Sequence, residues 1–168
     1  MDKVELYNMK FGPDRVKRML PQMIATGKGE GINFSYGGRI GNTEDSHRVI
    51  ELAGRFGAAQ QDKTVEALFS AYFENEKSMG DDDVLAAAAT ESGLAARLAL
   101  PENPLASKSI AEFLGSDELR DEVRAEEAQG HRKVSGVPFF TVNGRYQISG
   151  AQEHSTWLEL FDEIAQRS

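Results

Sequence analysis

Apolar residues recur at helical spacing along most of this chain and alternate at strand spacing in only a few short stretches. Asp2–Lys10 reads as a short helix that Gly12 breaks, and Pro13 suits the first position of the next one. Val16, Met19, Leu20, Met23 and Ile24 then form one stripe. Pro21 is placed to kink that helix or to start a new one, and Gly27, Gly29 and Gly31 close it. Ile32, Phe34 and Tyr36 alternate, but Gly37-Gly38 comes directly after, which predicts an extended loop rather than a sheet strand.

"GNTEDSHRVIELAGRFG" (41–57) carries the marks of a bounded helix. Asn42 or Thr43 can cap it, Glu44 and Asp45 suit its positive end, and Gly57 stops it. Val49, Ile50, Ala53 and Phe56 form its apolar stripe. Thr64–Lys77 is a second helix, with Val65, Leu68, Phe69, Tyr72 and Phe73 on one face. The acidic run Asp81–Asp83 reads as the solvated start of a third, Val84–Ser92. Residues 95–107 hold two prolines and predict a loop, followed by helices at Ser109–Leu114 and Asp117–Gln129, the latter ended by Gly130. A last helix near Glu153–Gln166 should turn Trp157, Leu158, Phe161 and Ile164 inward.

Between those helices lies "VSGVPFFTVNGRYQISGA" (134–151). Phe139–Val142 and Arg145–Ser149 flank Asn143-Gly144, which tolerates positive φ at both central turn positions and so favours a type I′ hairpin. Pro138 cannot donate to a ladder, so it belongs at a strand start or an edge. A cis Val137–Pro138 bond is the other reading, although trans is the default for X-Pro bonds.

Charge and cysteine usage narrow the function. The 168 residues carry 27 acidic against 19 basic side chains, a net charge of −8. Nucleic acid and anionic membrane surfaces are poor partners for such a chain. No apolar run reaches the length of a membrane span, and "MDKVELYNMK" has no apolar signal core, so a cytoplasmic protein is expected. There is no cysteine, which rules out disulfides and thiolate chemistry on this chain. His131 and His154 have no partner at metal-ligand spacing, and no metal site is expected.

Gly-Val-Pro-Phe-Phe, a hairpin, Ser-Gly-Ala-Gln and a final helix resemble the DsbA-like branch of the thioredoxin superfamily. The resemblance is to FrnE-like proteins, the glutathione-dependent hydroxychromene-carboxylate isomerases and the kappa-class glutathione transferases. "GNTEDSHRVIELA" (41–53) is similar to that branch's N-T-x-x-(S/A)-H-R helix, and "ELYNMKFGPDRVKRM" (5–19) to the segment leading into the helical insertion. The resemblance implies an α/β thioredoxin-like fold of DsbA type, mostly helical, with one hairpin. Residues 1–133 would be the helical insertion and its flanking helices, and 134–168 the second half of the thioredoxin core, together one compact unit. It also implies that Val137–Pro138 is cis.

Family members open with a strand, a C-x-x-C or a serine, a helix and a second strand. By this resemblance the chain begins after that unit, which accounts for the single hairpin and the missing nucleophile. The resemblance directs Asn42, Thr43, His47, Gly136, Val137, Pro138, Ala151 and Gln152 towards a substrate cleft. Blander readings stand beside these: a helix cap for Asn42 and Thr43, a partly buried polar residue for His47, a packing corner for Gly136–Pro138. Ala151-Gln152 stands where the glutathione users tend to carry Ser-Asp, which puts glutathione in doubt and leaves no cofactor expected. Ser135 is the hydroxyl nearest that cleft, with nothing in the sequence to activate it.

The expected function is therefore a thioredoxin-like protein, a thiol–disulfide oxidoreductase by resemblance but without redox cysteines, and whether it is an enzyme stays open. A glutathione-dependent isomerase or transferase relative, a non-catalytic interaction module and a truncated fragment are the alternatives. The absent first strand would leave one edge of Phe139–Val142 open, so a homodimer, a partner strand or the N-terminal segment is expected to cover it.

Overall fold

The computed structural model describes residues 1–134 and 136–167, apart from the side chains of His131 and Lys133. Ser135 lies outside the described residues. The chain divides into two compact units, Met1–Arg124 and Ala125–Ser168.

In the first unit, Asp2 caps α1 (Lys3–Phe11), its Oδ1 accepting from the N–H groups of Val4 (2.9 Å) and Glu5 (3.1 Å). Gly12, at φ +81°, turns the chain into α2 (Pro13–Gly29), with Pro13 at the first position. Pro21 neither ends α2 nor starts another helix. Of the apolar stripe on α2, only Val16 is buried, while Met23 and Ile24 are exposed. Gly27 is also buried, because a Cβ there would fall 2.3 Å from Cδ2 of Phe34. Residues 32–37 form no strand, in keeping with the extended loop expected from Gly37-Gly38. That segment leads back to the start of the chain: Lys3 N–H donates to Gly38 O (3.0 Å) and Ile40 N–H to Met1 O (3.0 Å).

The core of this unit is built by α3 (Glu44–Gly54), α4 (Ala58–Phe69) and α5 (Asp82–Glu91) with α6 (Leu94–Leu98) and α7 (Ile110–Leu114). Val49, Leu52, Leu68, Leu85, Leu94, Leu98 and Phe113 are fully buried within it. The sequence pattern misses Leu52, and it places Phe69 on the buried face of α4, where the ring is half-exposed. The helix α4 also starts earlier than its pattern shows and passes at Ser70–Glu74 into a π-helical turn.

The loop expected over 95–107 is only partly a loop. Leu94 and Leu98, four residues apart, are both buried and drive the short helix α6. Beyond it, buried Asn103 organises the chain. Its Nδ2 donates to Leu98 O and Ser107 O, both at 2.8 Å, and its Oδ1 accepts from Leu105 N–H at 3.0 Å.

The helix α8 (Arg120–Lys133) begins in the first unit and ends in the second. It runs through Gly130 instead of stopping there, and Val134 N–H still donates to Gly130 O (3.0 Å). In the second unit β1 (Phe139–Val142) and β2 (Tyr146–Ser149) pair antiparallel, Phe139 opposite Ser149 and Val142 opposite Tyr146. Asn143 (φ +51°) and Gly144 (φ +69°) take the left-handed conformations that the turn requires, and Arg145 N–H closes it on Val142 O (3.1 Å). Among the described residues this hairpin is the only sheet, and the Val137–Pro138 peptide is cis.

The last helix, α9 (His154–Gln166), does not bury its apolar stripe as expected. Trp157 meets Phe140 edge-to-face, with ring centroids 4.8 Å apart, but Leu158 is 64% exposed and Phe161 50%. Two strands span only about 10 Å across their ladder, no wider than a helix with its side chains, so the hairpin covers little of a broad stripe.

Candidate functional site

The eight candidate residues fall into both units, and each group is described in its own. In the first unit, the turn before α3 is pressed against a loop. A Cβ on Gly41 would lie 2.8 Å from Ser78 Oγ and 2.9 Å from Gly80 Cα, and one on Gly80 would lie 2.9 Å from Asn42 O. Two backbones can approach this closely only where both residues lack side chains. The approach holds Asn42 in place, and its Oδ1 accepts from Glu44 N–H (3.0 Å). Thr43 is the N-cap by position, but its hydroxyl makes no capping bond. Its carbonyl accepts instead, from His47 N–H (3.0 Å) and from Ser46 Oγ (2.7 Å).

Residue by residue, α3 then alternates between inside and outside. Ser46 and Arg48 are buried, while His47 between them is exposed. Arg48 is 0% exposed, and all three nitrogens of its guanidinium are engaged. Nε donates to Glu118 O (2.9 Å), Nη1 to Asp45 Oδ1 (2.6 Å), and Nη2 to Phe113 O (3.0 Å) and Ser116 O (2.7 Å). Of the Ser46-His47-Arg48 stretch, then, two residues build the fold and one faces solvent.

The start of α3 is also tied to α8. The Glu44 carboxylate accepts from Arg124 Nε (3.1 Å) and pairs with Arg120, which also pairs with Asp117 (2.9 Å). The hydrogen bonds from Arg124 and then Arg120 hold the Glu44 carboxyl below the usual carboxylate range. These charges neutralise one another, so the network offers no free acid or base to a substrate.

In the second unit, Gly136, Val137 and Pro138 are exposed, Val137 at 86%. Pro138 O accepts from Gly150 N–H (2.8 Å), which fastens the loop after β2 to the front of β1. Ala151 and Gln152 are exposed as well, but the Gln152 amide is engaged, its Nε2 donating to Ser149 O (3.0 Å). The result is an exposed corner of backbone that, among the described residues, carries no activated nucleophile.

Among the described residues, no three His, Cys, Asp or Glu side chains are grouped to hold a metal ion, and no helix is long and apolar enough to cross a membrane. Three features escape sequence reasoning: the role of Arg48, the Gly41–Gly80 contact, and a groove beside the π-helical turn. For Arg48 a signal exists, since it adjoins Val49 and lies four residues before Leu52 on the inward face.

No curated protein matches the chain significantly. A family model described as a DSBA-like thioredoxin domain matches residues 2–162. With nine helices and one two-stranded antiparallel sheet among the described residues, and that match over nearly its whole length, the chain belongs to the DsbA-like thioredoxin family and has its α/β fold.

Proposed function

We propose that this chain is a binding member of the DsbA-like family, one that engages a polypeptide partner without supplying a redox thiol of its own. One observation carries the reading: the chain belongs to a thioredoxin-fold family and contains no cysteine. Dithiol–disulfide exchange proceeds by attack of a thiolate through a mixed disulfide, and no side chain here can make that attack. In the finer assignment the chain is of FrnE-like type. Residues 1–133 are the helical insertion with its flanking helices, and 134–168 the second half of the core. Among the described residues no strand precedes β1, and the chain holds no cysteine.

On this reading the outer edge of β1 takes up an extended segment, from a second copy of the chain or from a partner. Support comes from the two-stranded sheet, in which β1 has a strand on one side only among the described residues, and from the exposed Val137 and Phe140 beside that edge. Gly136, Val137, Pro138, Ala151 and Gln152, all in the second unit, are its proposed contacts. The engaged Gln152 amide weighs against a glutathione carboxylate at that loop.

Light scattering after size-exclusion chromatography, with hydrogen exchange at Phe140–Val142, tests the reading. A dimer, or a partner complex, with those amides protected is the expected result. A monomer at micromolar concentration with the amides exchanging freely defeats the edge-pairing reading. Turnover of an insulin-type disulfide substrate by the pure chain overturns the thiol-free one.

A further inference from the structure

The first unit carries a groove that the hairpin reading does not use. It lies between the end of α4, the π-helical turn and α5, as a hollow of about 430 Å³. Its floor is made of small apolar residues: Ala67, Ala71, Val84, Ala87 and Ala88. On α5 the positions 84, 87, 88 and 91 share one face, so Glu91 stands at one end of the alanine floor and Asp83 at the other. Two further hollows, of about 710 Å³ and 350 Å³, adjoin this one along α4. Ser70 lines all three, and Glu66 lines the outer two. The second of these runs up to Phe69, 50% exposed, whose ring meets Phe73 edge-to-face with centroids 5.6 Å apart.

A floor of alanines leaves room for a large incoming side chain, and a half-exposed phenylalanine offers it a second apolar surface. The rim decides which chemistry comes with that side chain. Asp62, Glu66, Glu74, Asp83 and Glu91 line the three hollows, against Lys63 and Lys77. None of Asp62, Glu66, Asp83 and Glu91 has an ion-pair partner within 4.0 Å among the described residues. A chain of net charge −8 that keeps these carboxylates unneutralised around an apolar floor is complementary to a cationic amphipathic segment.

We propose that this groove docks a short segment of a partner protein in which apolar anchors alternate with lysine or arginine. The anchors sit on the alanine floor and against Phe69, and the cations face Glu66, Asp83 and Glu91.

The test uses the full-length chain, labelled with ¹⁵N, and a synthetic six-residue peptide alternating lysine and leucine. Saturable shifts are expected at the amides of Ala71, Ala87 and Glu91, weakening severalfold as salt rises from about 0.05 M to about 0.3 M. The double variant Glu66→Gln/Glu91→Gln, on the surface and harmless to the core, should weaken binding about fivefold, the scale of two exposed ion pairs. Ala87→Trp, also at an exposed position, should abolish it by filling the floor. Equal binding of a glutamine–leucine or glutamate–leucine peptide overturns the proposal. So do the absence of binding and shifts confined to residues outside the groove.

Discussion

The guanidinium of Arg48 lies 4.7 Å from the centre of the Phe113 ring while its Nη2 donates to the Phe113 carbonyl oxygen at 3.0 Å. One side chain thereby stacks on a residue and satisfies its backbone. Phe113 is in the last turn of α7, where its carbonyl oxygen also accepts from Ser116 N–H (3.1 Å) and Ser116 Oγ (2.8 Å), and Arg48 adds to these while serving the carbonyls of Ser116 and Glu118. The arginine is a peg through the segment 113–118, and α3 is the wall that holds it.

Removing the peg should be costly. Arg48→Met keeps much of the volume but takes the donor from the Ser116 and Glu118 carbonyls and leaves Asp45 with Arg120 alone, so a loss of about 1–3 kcal/mol is expected in urea unfolding. Arg48→Lys retains the charge without the planar fork and should recover less than half of that loss. Full stability in either variant would show that water satisfies those carbonyls unaided.

Acid should release the clasp that Glu118 makes on Ala106 and Ser107, in the loop after Asn103. Burial pushes the Glu118 carboxyl up, but the hydrogen bonds from Ser107 Oγ and from the N–H groups of Ser107 and Ala106 outweigh it, with help from Lys108. The folded value therefore lies below the usual carboxylate range. Stability from this clasp is complete above the unfolded carboxyl value and is lost as pH falls through the lower folded one. The amide shifts of Ala106 and Ser107 should titrate together, with a midpoint below the ordinary glutamate value of about 4.3. Glu118→Gln should remove the titration.

Lys3 should give a slope at the other end of the pH scale. Its Nζ donates to Tyr72 O (2.9 Å) and lies 3.9 Å from the centre of the Tyr72 ring. Desolvation lowers its pKa, against the opposing pull of Glu76 and Asp2. Between the lowered folded value and the ordinary lysine value of about 10.4, the unfolded chain binds the extra proton, so stability climbs with pH. Tyr36 and Tyr72, raised by burial and then by Tyr7, oppose the climb once ordinary tyrosines ionise near pH ~10. Urea midpoints should rise as pH approaches the ordinary lysine value for the natural chain, and less so for Lys3→Met.

Two glycine-to-alanine changes should have opposite signs. Gly38 sits at φ +81°, and a Cβ there would lie 2.1 Å from the Glu76 carbonyl oxygen, so Gly38→Ala should cost about 2 kcal/mol or more. Gly130 is inside α8 with open space around it, so Gly130→Ala should stabilise by about 0.5–1 kcal/mol. Thermal unfolding of the two variants checks both signs.

The hairpin is legible in the sequence because Asn143-Gly144 acts through the backbone alone. The start of α3 is legible for a similar reason, since Asn42 bonds two residues away. Features set by distant packing are not. Gly130 reads as a stop because glycine weakens a helix, yet a cost of about 1 kcal/mol is small enough for tertiary context to override. Pro101 and Pro104 hide the burial of Leu94 and Leu98 that makes α6. The stripe of α9 is plainly apolar in the sequence, but a periodic pattern says nothing of what covers it. At the candidate site the sequence marks Asn42, Thr43 and His47 by type, whereas the convergence of three carbonyls on Arg48 depends on where 113–118 comes to lie.

The π-helical turn at Ser70–Glu74 gives the helix one residue more than an α-helical turn holds, as the bond from Asn75 N–H to Ser70 O (3.1 Å) shows. One surplus residue shifts the angular phase of the positions that follow it in the turn by up to about 100°. Tyr72 and Phe73 are therefore aimed at Lys3 and Phe34 and not along the stripe that Thr64 and Leu68 began. A single deletion within 70–74 would turn these rings off Lys3 and Phe34, removing the Tyr72 contacts of Lys3 and leaving α1 held by the backbone bonds at Gly38 and Ile40.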